Sequence, residues 1–415
     1  MKHLIIGTGP AGVTAAEEIR RIDPGAEITI LGHEPEPPYS RMAIPYLIKN
    51  QIEESGTHIR KSDSHFIDLK IEVLQATVTS IDPAEKRVSL ADGNTLDYDK
   101  LLIASGGMPL SPPIPGIDLP GVYPCWTLDN ARHIIERAIP GSKVVLIGAG
   151  FISTTIVEAL VNRGSSLSIV EMEDRIIPRM MDIKGADIIR QWCESKGVSI
   201  LTSARVTGIE QAGEQLSVSF AEQDAISADL VISATGVKPN IDFLQGSNIE
   251  TDQGILVDEY LASSDASIYA AGDVAQAPDL LTDEKTVMAI QPVAAEHGRL
   301  AGINMAKGNS LEWRGSINMN VLDMLGLVSC SFGLWEGIEG GDSAEMHQPT
   351  QNKYIQLQFE GERLIGASSV GYTDHIGVFQ GMIQGKVELG EWKQKLIDDP
   401  TQIMAAWIGS TQGTA

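Results

Sequence analysis

Two glycine-rich segments in this chain of 415 residues have the spacing needed to hold nucleotide phosphates. The first, Gly7-Thr-Gly-Pro-Ala-Gly12, follows a short apolar run and precedes a predicted helix. Gly7 permits a tight turn, Gly9 lets the backbone approach a pyrophosphate, and Gly12 lets the helix pack closely on the strand. The N-terminus of that helix then stabilises the anion. Glu34, 22 residues after Gly12, is placed to accept hydrogen bonds from a ribose.

The second segment, Gly148-Ala-Gly150-Phe-Ile-Ser153, begins 141 residues after the first. Ser153 takes the place of the third glycine, so we expect either a wider gap between helix and strand or a backbone partner for the hydroxyl. Glu171 ends the next predicted strand, where a carboxylate pairs with a free ribose 2′-hydroxyl and repels a 2′-phosphate. Residues 172–174 add no cation. This turn therefore favours NADH over NADPH.

Both turns need a strand and a helix to position them, and the apolar periodicity predicts these elements twice. The first βαβ unit is predicted from a strand at 4–6, a helix at 10–22 and a strand at 27–31. The second has strands at 144–147 and 167–170 around its own helix. A Pro- and Gly-rich crossing at 108–121 separates them. Strand-like runs at 354–359 and 364–370, followed by a helical end, predict a third domain.

Composition narrows the function class. The chain carries 31 Lys+Arg against 55 Asp+Glu, a formal net charge of −24 at pH 7, which argues against a nucleic-acid partner and an anionic membrane surface. Its first residues contain too short an apolar stretch for a signal peptide or membrane span, so we expect a cytoplasmic protein. The three cysteines, Cys125, Cys193 and Cys330, are too far apart for a disulfide framework or a metal cluster. The scattered histidines likewise predict no metal site.

Further motifs make the interpretation specific. Ala104-Ser-Gly-Gly-Met-Pro109 and Ala234-Thr-Gly-Val-Lys-Pro239 each follow an apolar strand, and Ile268-Tyr-Ala-Ala-Gly-Asp273 ends a strand with an acid. Together with the two glycine turns, this order resembles the FAD-dependent pyridine nucleotide-disulfide oxidoreductases. Within that family it is most similar to ferredoxin and rubredoxin reductases and to the flavin region of NADH-dependent nitrite reductases.

The resemblance implies an α/β protein with two Rossmann-like dinucleotide-binding domains and a C-terminal α+β interface domain. The FAD-binding domain would comprise residues 1–110 and 239–308, and the NAD(H)-binding domain residues 111–238. Residues 309–415 would form the interface domain, through which members of the family usually form homodimers.

The resemblance also assigns ligand contacts. It implies that FAD is held by Gly7, Gly9, Pro10, Ala11, Gly12, Glu34, Arg41, Val78, Ala104, Ser105, Gly106, Gly272 and Asp273. It implies that NAD(H) is held by Gly148, Gly150, Phe151, Ile152, Ser153, Glu171 and Gly236. Arg41 would meet the pyrophosphate or the flavin edge, and Asp273 the ribityl chain or the pyrophosphate. A helix near 291–299 would close over the flavin with its N-terminus.

Departures from the family are equally informative. No CxxxxC motif is present, and the single-cysteine members place their cysteine where Met42 stands. A thioether cannot form a thiolate or a mixed disulfide, so thiol-based chemistry is excluded. Tyr46 and Thr155 replace a Lys–Glu pair that relatives place near the nicotinamide, which predicts a neutral site there. Trp126 stands where relatives carry an arginine.

With these cofactors, hydride passes from NADH to FAD, and electrons must then leave the flavin toward an external acceptor. The leading hypothesis is a reductase of a redox protein such as ferredoxin or rubredoxin, or of a metalloenzyme subunit. The alternatives are an NADH oxidase or reductase of a small acceptor such as oxygen or quinone, and a flavin-bearing subunit without catalysis. An acidic acceptor would need a local basic patch, for which the candidates are Arg60 with Lys61, or Lys386, Lys393 and Lys395.

Overall fold

The architecture comes from a computed structural model that describes residues 1–282 and 284–412. Its strands, in chain order, are β1 (Lys2–Ile6), β2 (Glu27–Gly32), β3 (Glu72–Gln75), β4 (Val78–Asp82), β5 (Arg87–Leu90), β6 (Thr95–Asp97), β7 (Lys100–Ile103), β8 (Gly107–Pro109), β9 (Val122–Pro124), β10 (Lys143–Ile147), β11 (Ser166–Val170), β12 (Ser199–Leu201), β13 (Val206–Ala212), β14 (Gln215–Phe220), β15 (Ile226–Ala228), β16 (Leu230–Ser233), β17 (Val237–Pro239), β18 (Ile255–Leu256), β19 (Ile268–Ala270), β20 (Ala275–Pro278), β21 (Lys285–Val287), β22 (Met319–Met324), β23 (Leu327–Gly333), β24 (Asp342–Gln348), β25 (Lys353–Glu360) and β26 (Arg363–Val370).

The α-helices are α1 (Pro10–Ile22), α2 (Ile44–Ile48), α3 (His65–Asp68), α4 (Leu128–Arg137), α5 (Phe151–Thr155), α6 (Val157–Asn162), α7 (Ile183–Ser195), α8 (Gln291–Lys307), α9 (Ile376–Gln384), α10 (Glu391–Asp398) and α11 (Ile403–Gln412). Short 3₁₀ turns include Arg41–Ala43 and Gly272–Val274.

The first nucleotide lobe is built on a parallel sheet with the strand order β19-β7-β1-β2-β3. Its strands are short runs of aliphatic residues because helices cover parallel sheets on both faces. Ile5, Ile30 and Leu102 are completely buried. Helices α1 and α8 approach each other closely, since a Cβ added at Gly298 would lie 2.2 Å from the Ala11 carbonyl oxygen.

The second lobe repeats this plan with a parallel sheet ordered β12-β11-β10-β16-β9. Each lobe also carries a three-stranded antiparallel excursion, β4-β5-β6 in the first and β13-β14-β15 in the second. The predicted α/β class with two Rossmann-like lobes is therefore confirmed.

The C-terminal region forms an antiparallel sheet ordered β22-β23-β26-β25-β24, packed with α9. Helix α7 of the second lobe is joined to this sheet by two polar contacts. Tyr354 Oη donates a hydrogen bond to Asp182 Oδ2 (2.6 Å), and Lys184 Nζ pairs with Glu345 Oε1 (2.6 Å). The predicted α+β character of this region is confirmed.

The contacts between residues divide the chain into two compact units. One comprises residues 1–43, 52–108 and 237–316, and the other residues 44–51, 109–236 and those from 317 onward. The second lobe and the C-terminal sheet thus belong to one unit. The three-domain division expected at 110/111, 238/239 and 308/309 stays a prediction. Within the described residues, no helix is both long and apolar enough to cross a membrane.

Candidate functional site

The first glycine turn has a geometry that side chains would destroy. Gly7 has φ +121°, and a Cβ there would lie 2.0 Å from the Ala104 carbonyl oxygen. A Cβ at Gly12 would lie 2.0 Å from the carbonyl oxygen of Gly7. Both positions therefore require glycine, one for its left-handed backbone and close approach and the other for close approach alone.

Gly9 serves a different purpose. It directly precedes α1, which begins with Pro10 and Ala11, and no described atom lies within 4 Å of a Cβ built at Gly9. No side chain among the described residues caps the first N–H groups of this 13-residue helix. Open space beside uncapped N–H groups at a helix N-terminus fits a pyrophosphate, so the cradle suits the dinucleotide that the sequence predicts.

Glu34 lies in a closed network that the sequence did not reveal. Arg41 Nη2 donates to Glu34 Oε1 (2.6 Å), and the Tyr39 hydroxyl donates to Glu34 Oε2 (2.6 Å). Arg41 Nη1 in turn donates to the Tyr39 oxygen (2.7 Å), and the guanidinium lies over the Tyr39 ring. A carboxylate oxygen can accept more than one hydrogen bond, so Glu34 keeps capacity for a ribose. Tyr39, which is buried, holds both candidate ligand residues in place.

The Gly-Asp motif lies beside α1 and α8. Gly272 has φ +77°, and a Cβ there would meet those of Ala11 and Ala294 at 3.3 and 3.4 Å. Burial raises the pKa of the Asp273 carboxyl, and the charge of Arg41 opposes this shift. The structure therefore brings Gly7, Ala11, Gly272 and Asp273 to one edge of the first lobe.

Of the remaining predicted FAD residues, Ala104, Ser105 and Gly106 follow β7, and Val78 lies in the antiparallel excursion. The Ala104 carbonyl lies against Gly7, and Ser105 Oγ donates to the Asn240 carbonyl oxygen (2.8 Å). Gly106 has φ +66° and accepts a hydrogen bond from Asn240 N (2.8 Å). Val78 begins β4 and packs against the core of the first lobe from the antiparallel excursion.

The second glycine turn has the same backbone requirements. Gly148 has φ +95°, and a Cβ there would lie 2.5 Å from the Ala234 carbonyl oxygen. No described atom lies within 4 Å of a Cβ at Gly150, which precedes α5. Gly236 has φ +128°. The partly buried Phe151 and Ile152 begin α5, so they flank the open space at Gly150.

The replacement of the third glycine changes the helix that follows. Ser153 Oγ donates to the Gly150 carbonyl oxygen (2.8 Å), which is the second of the two alternatives expected from the sequence. Thr154 Oγ1 bonds the same oxygen (3.0 Å), and Thr155 Oγ1 bonds Ile152 O (2.6 Å). Such hydroxyls compete for helix carbonyls and bend helices. The helix is accordingly interrupted at Ile156, between α5 and α6, whereas α1 is continuous.

Glu171 is buried, and its carboxylate is tied to the second turn. Its Oε2 accepts a hydrogen bond from Ala149 N (2.7 Å) and its Oε1 accepts one from Glu173 N (3.0 Å). Glu171 and the second glycine turn are therefore held as one unit.

The side chains at positions 46 and 155 are uncharged. The residues three positions after each of them form an ion pair with one another. Tyr46 on α2 is 55% exposed, and the Thr155 hydroxyl is bound within its own helix. Lys49 Nζ lies 2.6 Å from Glu158 Oε1, with both side chains largely buried. A Lys–Glu ion pair therefore lies one helical turn beyond positions 46 and 155.

The sulfur atoms are placed unfavourably for thiol chemistry. Cys125, Cys193 and Cys330 are all buried and unpaired. Burial raises the pKa of Cys125 and Cys193 to about 12 and that of Cys330 to about 11. Met42, at the position where the family resemblance implies a redox cysteine, is 49% exposed. Among the described residues, no group of three or more His, Cys, Asp or Glu could hold a metal ion.

Three of the five candidate cations pair with acids, and a fourth donates to backbone carbonyls. Arg60 Nε and Nη2 lie 2.6 and 2.5 Å from the Glu17 carboxylate, and Lys61 donates to two backbone carbonyls. Lys393 pairs with Asp342 (2.7 Å) and Lys395 with Glu391 (3.2 Å). Arg60, Lys393 and Lys395 therefore add little net positive potential, whereas Lys61 and the exposed Lys386 keep their charge.

Comparison with known proteins agrees with this geometry. Residues 1–298, well over half of the chain, match the family described as pyridine nucleotide-disulphide oxidoreductase. The NADH-dependent phenylglyoxylate dehydrogenase subunit epsilon of Aromatoleum evansii is 30% identical over 97% of this chain and 96% of its own. The NADH-rubredoxin oxidoreductase of Clostridium acetobutylicum is 28% identical over 89% of this chain and 91% of its own.

A solved structure shows the same fold. The NAD-dependent persulfide reductase from A. fulgidus superposes with a TM-score of 0.87 at 31% sequence identity, over 94% of this chain and 78% of that one. The family match, the full-length similarity and the two glycine turns lead to the same assignment. This chain belongs to the pyridine nucleotide-disulphide oxidoreductase family and is an oxidoreductase that uses FAD and a pyridine nucleotide.

Proposed function

We propose that this enzyme takes hydride from NADH onto FAD and delivers the electrons to a separate redox protein or redox subunit. FAD supplies the chemistry of this exchange, since it accepts two electrons together and can release them one at a time. The acceptor would be a protein of ferredoxin or rubredoxin type or a metalloenzyme subunit. The cytoplasm suits such a protein because its three free thiols remain reduced there.

The observation that carries this proposal is the position of sulfur. A thioether occupies the place of the family's redox cysteine, and the three real thiols are buried with raised pKa values. Electrons on the flavin therefore have no thiol to reduce within this chain. Two full-length relatives support an external acceptor, because one is a subunit of an NADH-dependent dehydrogenase and the other is an NADH-rubredoxin oxidoreductase.

Each of the two glycine turns would bind one of the two dinucleotides. For FAD, the uncapped N-terminus of α1 would hold the pyrophosphate, Glu34 the ribose, and Arg41 and Asp273 the groups closer to the flavin. For NADH, the turn from Gly148 to Gly150 would hold the pyrophosphate and Glu171 the ribose diol. No side chain has to transfer a proton in the hydride step, so the protein acts by orienting the rings and excluding water.

Anaerobic mixing with NADH tests the donor half of the proposal. We expect bleaching of the flavin absorbance with NADH and a much slower reaction with NADPH, because Glu171 repels a 2′-phosphate. Prior alkylation with N-ethylmaleimide should leave the rate unchanged, since the thiols are inaccessible. A flavin that stays oxidised for minutes would instead indicate a subunit without catalysis.

The acceptor half is tested by steady-state turnover. Ferredoxin, rubredoxin, quinone and oxygen are compared at equal NADH, and we expect the fastest turnover with one of the two proteins. Turnover with oxygen or quinone that matches the best protein acceptor would contradict an obligate protein partner and favour the small-acceptor reductase.

We also propose a homodimer formed through the C-terminal region. The support is the family resemblance together with the antiparallel sheet β22–β26 in residues beyond the nucleotide lobes. Light scattering after size-exclusion chromatography should give about twice the mass of one 44.6 kDa chain. A monomer across the micromolar range would contradict this proposal.

A further inference from the structure

His297 lies at the junction of three elements in the first nucleotide lobe. It belongs to α8, and its imidazole is 2% exposed. On one side it meets Gly272, which begins the turn that carries Asp273. On another side it meets Trp313. The sequence alone indicates no role for this histidine.

The contact with Gly272 is directional. The backbone N–H of Gly272 donates a hydrogen bond to His297 Nδ1 at 3.3 Å. Gly272 has φ +77°, a backbone region that needs an external constraint or a glycine to persist. An acceptor at Nδ1 requires a neutral ring with its proton on Nε2. The imidazole therefore fixes the Ala271–Gly272 peptide group, which precedes the Gly272–Asp273 peptide by one residue.

Packing holds the imidazole in this orientation. The Trp313 ring lies edge to face with it, with centroids 4.4 Å apart and planes at 85°, and Trp313 Nε1 donates to the Pro278 carbonyl oxygen (3.0 Å). The next residue, Gly298, lies so close to α1 that an added Cβ would be 2.2 Å from Ala11 O. His297 Nε2 finds no hydrogen-bond partner among the described residues. The imidazole is therefore held by the Trp313 ring and by the hydrogen bond from Gly272.

The protonation state of His297 also favours its hydrogen bond with Gly272. Burial lowers the pKa of His297 to about 4, against the opposing influence of Glu296. The ring is therefore neutral at physiological pH, and Nδ1 keeps its lone pair for Gly272.

We propose that His297 is a positioning residue for flavin binding, which orients the Asp273 carboxylate through its hydrogen bond to Gly272. The inference rests on the proposed function only in taking Asp273 to be an FAD ligand. It requires no particular acceptor and no particular nicotinamide donor. His297 itself does not touch the cofactor in this role.

Two matched substitutions test the hydrogen bond. In His297→Asn, the amide Oδ1 occupies nearly the place of Nδ1 and can accept from Gly272, whereas His297→Leu has similar size and no acceptor. FAD titration of each apoprotein, followed by flavin fluorescence, should show binding within about threefold of wild type for Asn and about tenfold weaker for Leu. Equal affinity in the two variants, whether both weak or both normal, would overturn the proposal.

A double-mutant cycle between His297 and Asp273 distinguishes a positioning role of His297 from a general packing role. In an Asp273→Asn background, His297→Leu should lose most of its additional effect on FAD affinity, because the residue that His297 orients no longer contributes. An undiminished effect would contradict action through Asp273. If the wild-type apoprotein fails to bind FAD, the proposed function fails instead, so the two results are distinguishable.

A direct measurement remains informative if the leucine variant does not fold. In holoprotein labelled with ¹⁵N-histidine, the His297 Nδ1 resonance should be that of an unprotonated nitrogen, with the proton on Nε2. Its assignment follows from its disappearance in His297→Asn. A proton on Nδ1 would overturn the proposal.

Discussion

At the scale of single residues, the structure links the two candidate ligand residues Glu34 and Arg41 through one phenol. Tyr39 donates to the carboxylate and accepts from the guanidinium, at 2.6 and 2.7 Å. Hydrogen bonds to charged groups are stronger than neutral ones. Tyr39 therefore reduces the number of rotamers that either charged side chain can adopt before a nucleotide binds.

Removing this hydroxyl should weaken FAD binding. We expect Tyr39→Phe to raise the FAD dissociation constant by about 10- to 100-fold, the equivalent of roughly 1.5 to 3 kcal/mol for a hydrogen bond to a charged group. Fluorescence titration of the apoprotein measures this change. Tyr98→Phe is the matched control, because the buried Tyr98 hydroxyl has no partner among the described residues, and it should leave FAD affinity unchanged. Equal effects of the two variants would contradict a role for Tyr39.

At the scale of elements, helices α2, α4 and α6 converge on one arginine. Arg163 follows α6, and its Nη1 donates to Ile48 O at the end of α2 (3.3 Å). Its Nη2 and Nε donate to Ile135 O (2.6 Å) and Ala138 O (2.8 Å) at the end of α4. A cation there satisfies carbonyls that a helix leaves unpaired and stabilises the negative ends of the helix dipoles. The pair Lys49–Glu158 adds a second tie between α2 and α6.

Loss of the Arg163 side chain should therefore destabilise the second unit. We expect Arg163→Met to lower the free energy of unfolding by about 2 to 3 kcal/mol, because three carbonyls lose a charged donor. Chemical denaturation followed by circular dichroism measures this difference. Arg205→Met, at an exposed arginine with no side-chain partner among the described residues, should change the stability by less than about 0.5 kcal/mol. A similarly small effect at position 163 would show that packing alone holds α2.

At the scale of the whole molecule, acid stability depends on two buried neutral histidines. Burial lowers the pKa of both His3 and His297 from 6.5 to about 4. Between those values the unfolded chain binds more protons than the folded one, so stability is complete above pH 6.5 and falls as the pH drops toward 4.

Near pH 5 the two histidines together should account for close to two protons taken up on unfolding, each lowering stability by about 1.4 kcal/mol per pH unit. Denaturation midpoints at pH 7, 6 and 5 measure the slope. His297→Asn should remove about one proton from it. A slope unchanged by this substitution would contradict a depressed pKa at His297.

The net charge of −24 determines how salt affects electron transfer to an acidic acceptor. The candidate cations Arg60, Lys393 and Lys395 already pair with Glu17, Asp342 and Glu391. Like charges slow encounter, and salt screens them. The second-order rate with an acidic ferredoxin should therefore rise between 20 and 200 mM NaCl, in stopped-flow measurements. A fall in rate would mean that unpaired cations elsewhere form a docking patch.

The sequence alone determined the features that depend on local conformation. Gly7, Gly12 and Gly148 were predictable because a tight turn followed by a close helix excludes Cβ at fixed positions, and the structure places neighbouring oxygens 2.0 to 2.5 Å from those missing atoms. The two parallel sheets were predictable because short apolar runs alternate with helical periods. Absence of a cysteine at position 42 likewise needed no structure.

Only the tertiary structure decided the contacts between residues that the chain brings together from a distance. The bond from Gly272 to His297, the carbonyls gathered by Arg163, and the ion pair that lies one turn beyond Tyr46 and Thr155 join segments 25 to 115 residues apart. Even Tyr39, close in sequence to Glu34 and Arg41, acts through side-chain directions set by the fold. Glycine turns follow from the conformations of a few consecutive residues, whereas a side-chain partner depends on how whole elements pack.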